Sequence, residues 1–263
     1  MNVHHFEPDS LLQQDVKSFW TFEQSQAAHN SAPILPDSHV ELIFNCGAPY
    51  VLQTESGALV DLPRVIVNGL QEKPIHLRVT GACQFIAVRL YGWAVRPLID
   101  LPDNPYALPV IPLNGQWQRI AQTVEATVRH NGYQAAVDLL QQFILDIQHP
   151  QPGLEAIRTA GAMLHTSCGK VRLSEVAAQS HLSQRQFERQ FKYWMGVPPK
   201  TYARLIRHEA TRDLLFRDPG CDMVMVAQDF GYSDQAHFIH DFKAFTARTP
   251  REYTTHIRSM TSR

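Results

Sequence analysis

The chain has 263 residues, of which 44% are hydrophobic and 19% are charged, which is typical of a globular protein with room for two domains that each have a core. No stretch approaches about 18 consecutive apolar residues, and no apolar run follows a charged start. We therefore expect no membrane span, no signal peptide and a cytoplasmic location. The net charge of −1 conceals an asymmetry, since residues 1–150 carry 8 Lys and Arg against 14 Asp and Glu, whereas residues 151–263 carry 16 against 11. The basic second half is predicted to have a polyanionic partner.

Residues 1–112 show the alternation of apolar and polar side chains that is typical of β-strands. Residues 40–44 and 75–79 each place every second hydrophobic residue on one face, and residues 65–67 and 85–91 are further strand candidates. Turn residues such as Asn68-Gly69 separate them. Many short strands at this spacing favour a β-barrel or a sandwich.

From residue 115 the hydrophobic period changes from that of a strand to that of a helix. Two amphipathic stripes are separated by Asn131-Gly132. These two connector helices either pack on the β-domain or pair between two chains, and packing on their own domain is the more usual arrangement. Residues 149–153 (HPQPG) form a stiff connection, so we predict an N-terminal domain over 1–148 and a C-terminal domain over 153–260.

Residues 176–202 and 226–253 repeat one pattern. In the second copy, Gly231 supplies a left-handed turn and Ser233 is predicted to cap the helix that follows. A helix, a tight turn and a second helix form the layout of a helix-turn-helix unit that reads a major groove. The residues that recur, at a spacing of fifty and then of fifty-one, are Val176, Ala177, Ser183, Gln184, Phe187, Phe191, Lys192, Pro199 and Tyr202.

The second helix of each copy has a phenylalanine stripe, which we assign to the core, and an outward face rich in polar residues. Ser183 and Gln186 predict a capping box at the start of the first of these helices. Arginine can bind guanine through two hydrogen bonds and glutamine can bind adenine in the same way. Such a face on an isolated helix is more often plain surface, but its repetition favours DNA. The candidate base contacts are Gln184, Arg185, Glu188, Arg189, Gln235, Ala236, His237, Ile239 and His240.

Cationic residues near helix ends are candidates for contacts with DNA phosphates, which fix the position of a protein without reading sequence. A plain surface role is the alternative for each of them. These candidates are Lys192, Lys200, Arg204 and Lys243.

The pattern A-x-x-x-G-[FY]-S-D-Q-x-H-F, followed by F-K and by T-P-x-x-Y, resembles the signature of the AraC/XylS family of bacterial transcription regulators. The resemblance extends from Leu154 to about Arg258 and implies an all-α domain with two helix-turn-helix units. It also implies RNA polymerase as a partner and suggests activation of transcription, although the sequence does not fix the sign of regulation. His240 stands where the family usually has arginine, Ala247 where it has glycine and Thr211 where it has alanine.

Three stretches of the N-terminal half, LPDSHVELIFN, VNGLQEKP and VRLYGWAV, resemble the uncharacterised cupin-like domain of some AraC-type regulators. This resemblance implies a small-molecule effector, and the alternative is a domain that only forms a homodimer. The overall fold class is therefore α+β, with a barrel-like N-terminal domain. Aromatic and charged groups of the kind that line small-molecule pockets are Trp20, Arg89, Tyr91 and Trp93.

Enzymatic function has little support in the sequence. We find no phosphate-binding loop, nucleophile elbow or H-E-x-x-H sequence, and the four cysteines include no C-x-x-C. His237 and His240 are spaced as metal ligands, but no third ligand is spaced to join them. We therefore expect no cofactor. The remaining alternative is a cupin-like metal enzyme or metal sensor that uses His39, Glu41 and His76.

Overall fold

The computed structural model describes residues 2–24, 33–54, 56–101, 110–149 and 151–261, and Pro150 of the predicted connection lies outside them. The chain divides into two compact units. The N-terminal unit comprises Met1–Ile34, His39–Gly69 and Ile75–Pro152. The C-terminal unit comprises Leu35–Ser38, Leu70–Pro74 and Gly153–Arg263.

The described strands of the N-terminal unit form two antiparallel sheets. In order across the first sheet, they are β1 (Asn2–Phe6), β2 (Val16–Gln24), β9 (Cys83–Tyr91), β4 (His39–Asn45), β7 (Val65–Asn68) and β10 (Val110–Pro112). In order across the second, they are β3 (Pro33–Ile34), β8 (Ile75–Val79), β5 (Tyr50–Gln53) and β6 (Leu59–Asp61). The sheets do not close into a barrel, so the barrel-like form predicted for this domain is corrected to two open sheets.

The two sheets share one hydrophobic core. Ile43 and Ile66 of the first sheet pack in the same cluster as Leu52 and Leu77 of the second. Because neighbouring residues of a strand point to opposite faces, a strand whose residues are all buried is covered on both sides. β4 is such a strand, since all seven of its residues are buried, including the polar His39, Glu41 and Asn45.

The outer face of β4 is covered by α2 (Gln116–Ile147), which follows the 3-10 turn Gly92–Ala94 and the short α1 (Val95–Leu98). The ring centres of Phe44 and Trp117 are 6.5 Å apart. Gly132 has φ 84° and ψ −179°, which interrupts the helix at the predicted break. The two predicted connector helices are thus the two arms of a kinked α2, and this segment packs on its own domain.

The C-terminal unit contains the predicted pair of helix-turn-helix units. Its helices are α3 (Leu154–Thr166), α4 (Leu173–Gln179), α5 (Gln184–Met195), α6 (Pro199–Arg217), α7 (Met223–Asp229), α8 (Gln235–Thr246) and α9 (Pro250–Thr261). The bounds of α4 and α7 differ by fifty residues, and those of α5 and α8 by fifty-one. The repeat that the sequence shows is therefore a structural repeat.

Aromatic residues form the core of each helix-turn-helix unit. In the first unit, the buried Phe187 and Phe191 rings lie 5.4 Å apart, edge to face. In the second, Phe238 and Phe242 lie 5.8 Å apart in the same arrangement. Such pairs add roughly 0.5–1.5 kcal/mol each to the gain from burial. The predicted assignment of the phenylalanine stripes to the core is confirmed.

The second helices of the two units, α5 and α8, begin with different caps. Ser183 and Gln186 form the predicted capping box at the start of α5. At the start of α8, the cap is Asp234 rather than the predicted Ser233, because the residue gained in the turn moves the first helical position along by one. The Asp234 carboxylate accepts a hydrogen bond of 2.8 Å from the backbone N–H of His237, which lowers the pKa of Asp234.

Two short segments from the first third of the sequence belong to the C-terminal unit. Leu35 packs beside the core of the second helix-turn-helix unit. Arg212 of α6 forms an ion pair of 3.4 Å with Asp37, and Arg204 forms one of 2.9 Å with Glu72. A fragment that begins at residue 153 would lack these contacts.

Candidate functional site

The outward face of α5 carries four exposed residues that were predicted to contact bases. Gln184 donates a hydrogen bond of 2.7 Å from Nε2 to Oε1 of Glu188, one turn further along. Arg185 and Arg189 are also exposed and one turn apart, and neither forms a salt bridge with any residue that the structure describes. This face therefore offers two arginine guanidinium groups beside an oriented glutamine.

The outward face of α8 has a different chemistry. Ala236 and His240 are exposed, while Gln235 and Ile239 are half-buried. His237 is held in place, because its Nδ1 lies 3.1 Å from the Ser233 hydroxyl and its ring meets Tyr232 edge to face at 5.3 Å. The face thus combines a glutamine, an alanine, an isoleucine and two histidines.

The four predicted phosphate contacts fall into two groups. Lys192, Lys200 and Lys243 are exposed near the ends of their helices. Arg204 is instead engaged within the unit, where its Nη2 lies 2.6 Å from Oδ1 of the buried Asp241 on α8. This pair could not be predicted from the sequence, since Arg204 and Asp241 are 37 residues apart in the chain and meet only because α6 packs against α8.

The linking helix α6 also buries a histidine. The His208 ring stacks on Phe245 at 4.8 Å and meets Phe242 edge to face at 5.1 Å. Neither of its ring nitrogens has a hydrogen-bond partner among the described residues. Burial, with a smaller contribution from Arg212, lowers the pKa of His208 from 6.5 to about 3, so the ring is neutral near pH 7.

A connected group of polar and aromatic side chains lies on the face of the first sheet that is turned towards the second. Glu41 accepts hydrogen bonds from Trp20 Nε1 at 3.0 Å and from Arg89 Nη1 at 3.2 Å. Arg89 Nη2 lies 3.4 Å from Nδ1 of His39. The pair is mostly buried, since the Arg89 and Glu41 side chains are 23% and 10% exposed.

The same group continues along β9. The His39 ring lies 5.3 Å from that of Tyr91, and Tyr91 stacks on Trp93 at 4.5 Å with an interplanar angle of 5°. The four residues predicted to line an effector pocket are therefore joined through His39 and Glu41. The sequence suggested His39 and Glu41 only as metal ligands. They lie two residues apart on one strand, however, and therefore on the same face of the sheet.

The metal site that the sequence suggested is not assembled in the described residues. His76 lies on the second sheet and is exposed, whereas His39 and Glu41 are buried on the first, and the three do not converge on one point. Glu41 is also engaged by Arg89 and Trp20. The four cysteines are free thiols, and burial raises the pKa of Cys46 to about 12.

Comparison with protein families gives two matches that divide the chain as its fold does. Residues 176–256 match a helix-turn-helix domain family, and residues 4–107 match a domain of unknown function, DUF6597. A search of curated proteins finds no match. No described helix has both the length and the apolar character that a membrane span needs.

Solved structures of ToxT from Vibrio cholerae share the fold of this chain. ToxT from strain O395 has a TM-score of 0.52 at 14% identity, over 92% of this chain and 98% of that one. A second ToxT structure from that strain, with (E)-4-(8-methylnaphthalen-1-yl)but-3-enoic acid bound, has a TM-score of 0.51 at 11% identity, over 98% and 100% of the two chains.

Two helix-turn-helix units joined by one helix, preceded in the chain by a β-rich domain, define a DNA-binding transcription regulator. The matched helix-turn-helix domain is of the AraC type. The C-terminal half of the chain therefore carries a helix-turn-helix domain of this type, and the N-terminal half matches a domain of unknown function.

Proposed function

We propose that α5 and α8 enter successive segments of one major groove and read bases there. The observation that carries this proposal is the equal placement of the two helices within their units, each with its phenylalanines buried and its other face exposed. In helix-turn-helix proteins the residues at the start of the second helix reach the base edges. The proposed base contacts are Gln184, Arg185, Glu188, Arg189, Gln235, Ala236, His237, Ile239 and His240.

We assign Lys192, Lys200 and Lys243 to phosphates, because they are exposed and lie beyond the reading positions. Arg204 is already engaged by Asp241, so its proposed role is to hold α8 against α6.

Substitution separates base contacts from phosphate contacts. Arg189→Ala should weaken binding to the best duplex by about 1 to 3 kcal/mol and relax the preference at one base pair. Lys243→Ala should weaken all duplexes about equally and reduce the log–log salt slope by about 0.9. Fluorescence anisotropy of the full chain on a panel of duplexes between 50 and 300 mM salt measures both. If Arg189→Ala leaves affinity and preference unchanged, the assignment of α5 to the bases is wrong.

The N-terminal domain, in this proposal, binds a small organic effector between its two sheets. The group around Glu41 and Arg89 provides charged and hydrogen-bonding atoms at the edge of the apolar core that both sheets share. Small-molecule sites typically combine apolar walls with a few polar groups. The ToxT structure with a bound carboxylic acid supports a small-molecule effector for a chain of this fold.

Effector binding has a direct test in the full chain. A ligand at 100 times its Kd stabilises the protein that binds it by about 2.7 kcal/mol, which a thermal-shift screen of small metabolites detects. The same ligand should change DNA affinity roughly 5- to 150-fold, for a coupling of about 1 to 3 kcal/mol.

The thermal shift should vanish in Arg89→Met but persist in Arg78→Met, because Arg78 binds Gln53 in an exposed position on the second sheet. If no compound shifts the melting temperature and the chain is a stable dimer, dimerisation becomes the better account of this domain.

We also propose contact with RNA polymerase, which the resemblance to AraC-type regulators implies, and formation of a homodimer. We further propose a cytoplasmic location, because a bacterial regulator acts on chromosomal DNA.

A further inference from the structure

The two reading helices can be compared position by position, because the repeat aligns them at a spacing of fifty-one. Gln184 matches Gln235 at the first helical position, and Lys192 matches Lys243 at the ninth. The two reading faces therefore carry the same residues at the first and ninth helical positions. They differ at positions between these two.

At three of the intervening outward positions the chemistry changes completely. The first unit has Arg185, Glu188 and Arg189, all exposed and all charged. Their counterparts in the second unit are Ala236, Ile239 and His240. The second unit thus replaces two guanidinium groups and a carboxylate with two aliphatic side chains and an imidazole.

These side chains suit different base edges in the major groove. Arginine binds the O6 and N7 atoms of guanine, and glutamate accepts a hydrogen bond from the amino group of cytosine. Aliphatic side chains cannot form these bonds, but they pack against the C5 methyl group of thymine, the one apolar group that the major groove displays. Ala236 is exposed at the second position of α8, and Ile239 is half-buried one turn further along, so that part of its side chain is accessible to a methyl group.

We infer that the two units read base sequences of different composition, and we call the bases contacted by one helix its half-site. The half-site of α8 is recognised through thymine methyl groups contacted by Ala236 and Ile239. The half-site of α5 is recognised through G·C base pairs bound by Arg185 and Arg189. The operator is then asymmetric, and one chain has a defined orientation on it. This inference rests on the proposed reading of bases by α5 and α8, and it adds the chemistry of the sequence that each helix reads.

Base analogues test the inference without any change to the protein. Replacement of thymine by deoxyuridine removes only the C5 methyl group. Loss of one packed methyl group should weaken binding about fourfold, which corresponds to roughly 0.8 kcal/mol. In the α5 half-site, replacement of guanine by 7-deazaguanine removes the N7 acceptor and should weaken binding about 5- to 150-fold. The α5 half-site is the block whose base preference relaxes in Arg189→Ala.

The experiment measures affinities of the full chain for the unmodified duplex, for deoxyuridine in either half-site and for 7-deazaguanine in either half-site. Deoxyuridine should weaken binding in the α8 half-site and leave it within about twofold in the α5 half-site. In Ile239→Ala, deoxyuridine in the α8 half-site should have a smaller effect than in the unchanged protein, while the effect of 7-deazaguanine should persist.

Each outcome bears on a different claim. If the chain binds its duplex but deoxyuridine has no effect in the α8 half-site, the inference is overturned while the reading of DNA by two helices stands. An equal effect of deoxyuridine in both half-sites overturns it as well. If the chain binds no duplex at low salt, the proposed function fails and this inference fails with it.

Discussion

His208 is a single residue whose burial makes the C-terminal unit sensitive to acid. Its pKa is about 3 in the folded chain, against 6.5 when exposed. Between these values the unfolded chain binds more protons than the folded one, so stability is complete above about pH 6.5 and falls as the pH decreases. The loss is about 1.4 kcal/mol for each pH unit in that window.

His208→Leu should remove this part of the pH dependence. Urea unfolding at pH 7.5 and 5.5, followed by circular dichroism at 222 nm, measures the change in the free energy of unfolding. We expect the decrease between the two pH values to be about 1 to 1.5 kcal/mol smaller in His208→Leu than in the unchanged protein. His130→Ala is the matched control, because His130 is exposed on α2 and should leave the decrease unaltered. An identical decrease in His208→Leu would show that His208 is not the group responsible.

At the scale of residues, the sequence was a better guide to which side chains face outward than to which residues they contact. The period of the phenylalanines identified the exposed faces of α5 and α8, because a helical stripe fixes the opposite face. It could not show that Asp241 is buried against Arg204, or that Glu41 joins Trp20 to Arg89, because these contacts bring together residues far apart in the chain. The shift of the cap from Ser233 to Asp234 depends on one inserted residue.

At the scale of elements, the turn between α3 and α4 is fixed by its close approach to α6. Gly169 has φ 72°, and a Cβ atom on it would overlap the carbonyl oxygen of Ala203 on α6. Arg207 of α6 also donates a hydrogen bond of 2.9 Å to the carbonyl of Gly169. The linking helix is therefore held against the first helix-turn-helix unit by a backbone contact that only glycine permits.

Gly169→Ala should destabilise the chain by about 2 to 4 kcal/mol, since it adds steric overlap to the strain of a left-handed alanine. Gly153→Ala is the matched control. Gly153 has φ 81° but open space around it, so that change should cost only about 1 kcal/mol. Urea unfolding of the two variants compares them directly. Equal losses of stability would show that α6 moves away freely and that the contact has little importance.

Element boundaries were predictable where a repeat or a strong alternation defined them. β8 lies at the predicted residues, and the kink of α2 lies at the predicted glycine. The same signals could not decide between a closed barrel and two open sheets. Alternation fixes which face of a strand is buried, but whether two sheets close depends on strand tilt and on pairing at their edges, which are not local properties.

At the scale of the whole molecule, the charge asymmetry agrees with the division into two units. The sequence places a net charge of −6 on residues 1–150 and +5 on residues 151–263. The basic part contains both reading helices, and a basic surface favours association with a phosphate backbone. The resemblance to AraC-type regulators could be recognised from the sequence because the residues that carry it lie in two compact repeats. The group proposed to bind an effector could not be recognised, because the polar side chains around Arg89 come from three strands.

Selection of bound sequences from a random duplex pool by the full chain tests the central claim most directly. If α5 and α8 occupy successive major-groove segments, the selected sites should contain two conserved blocks whose centres are about 10 base pairs apart, one helical turn of about 34 Å. Arg189→Ala should relax the preference at one base pair of one block and leave the other block intact. A single conserved block, or two blocks that Arg189→Ala relaxes equally, would contradict the account.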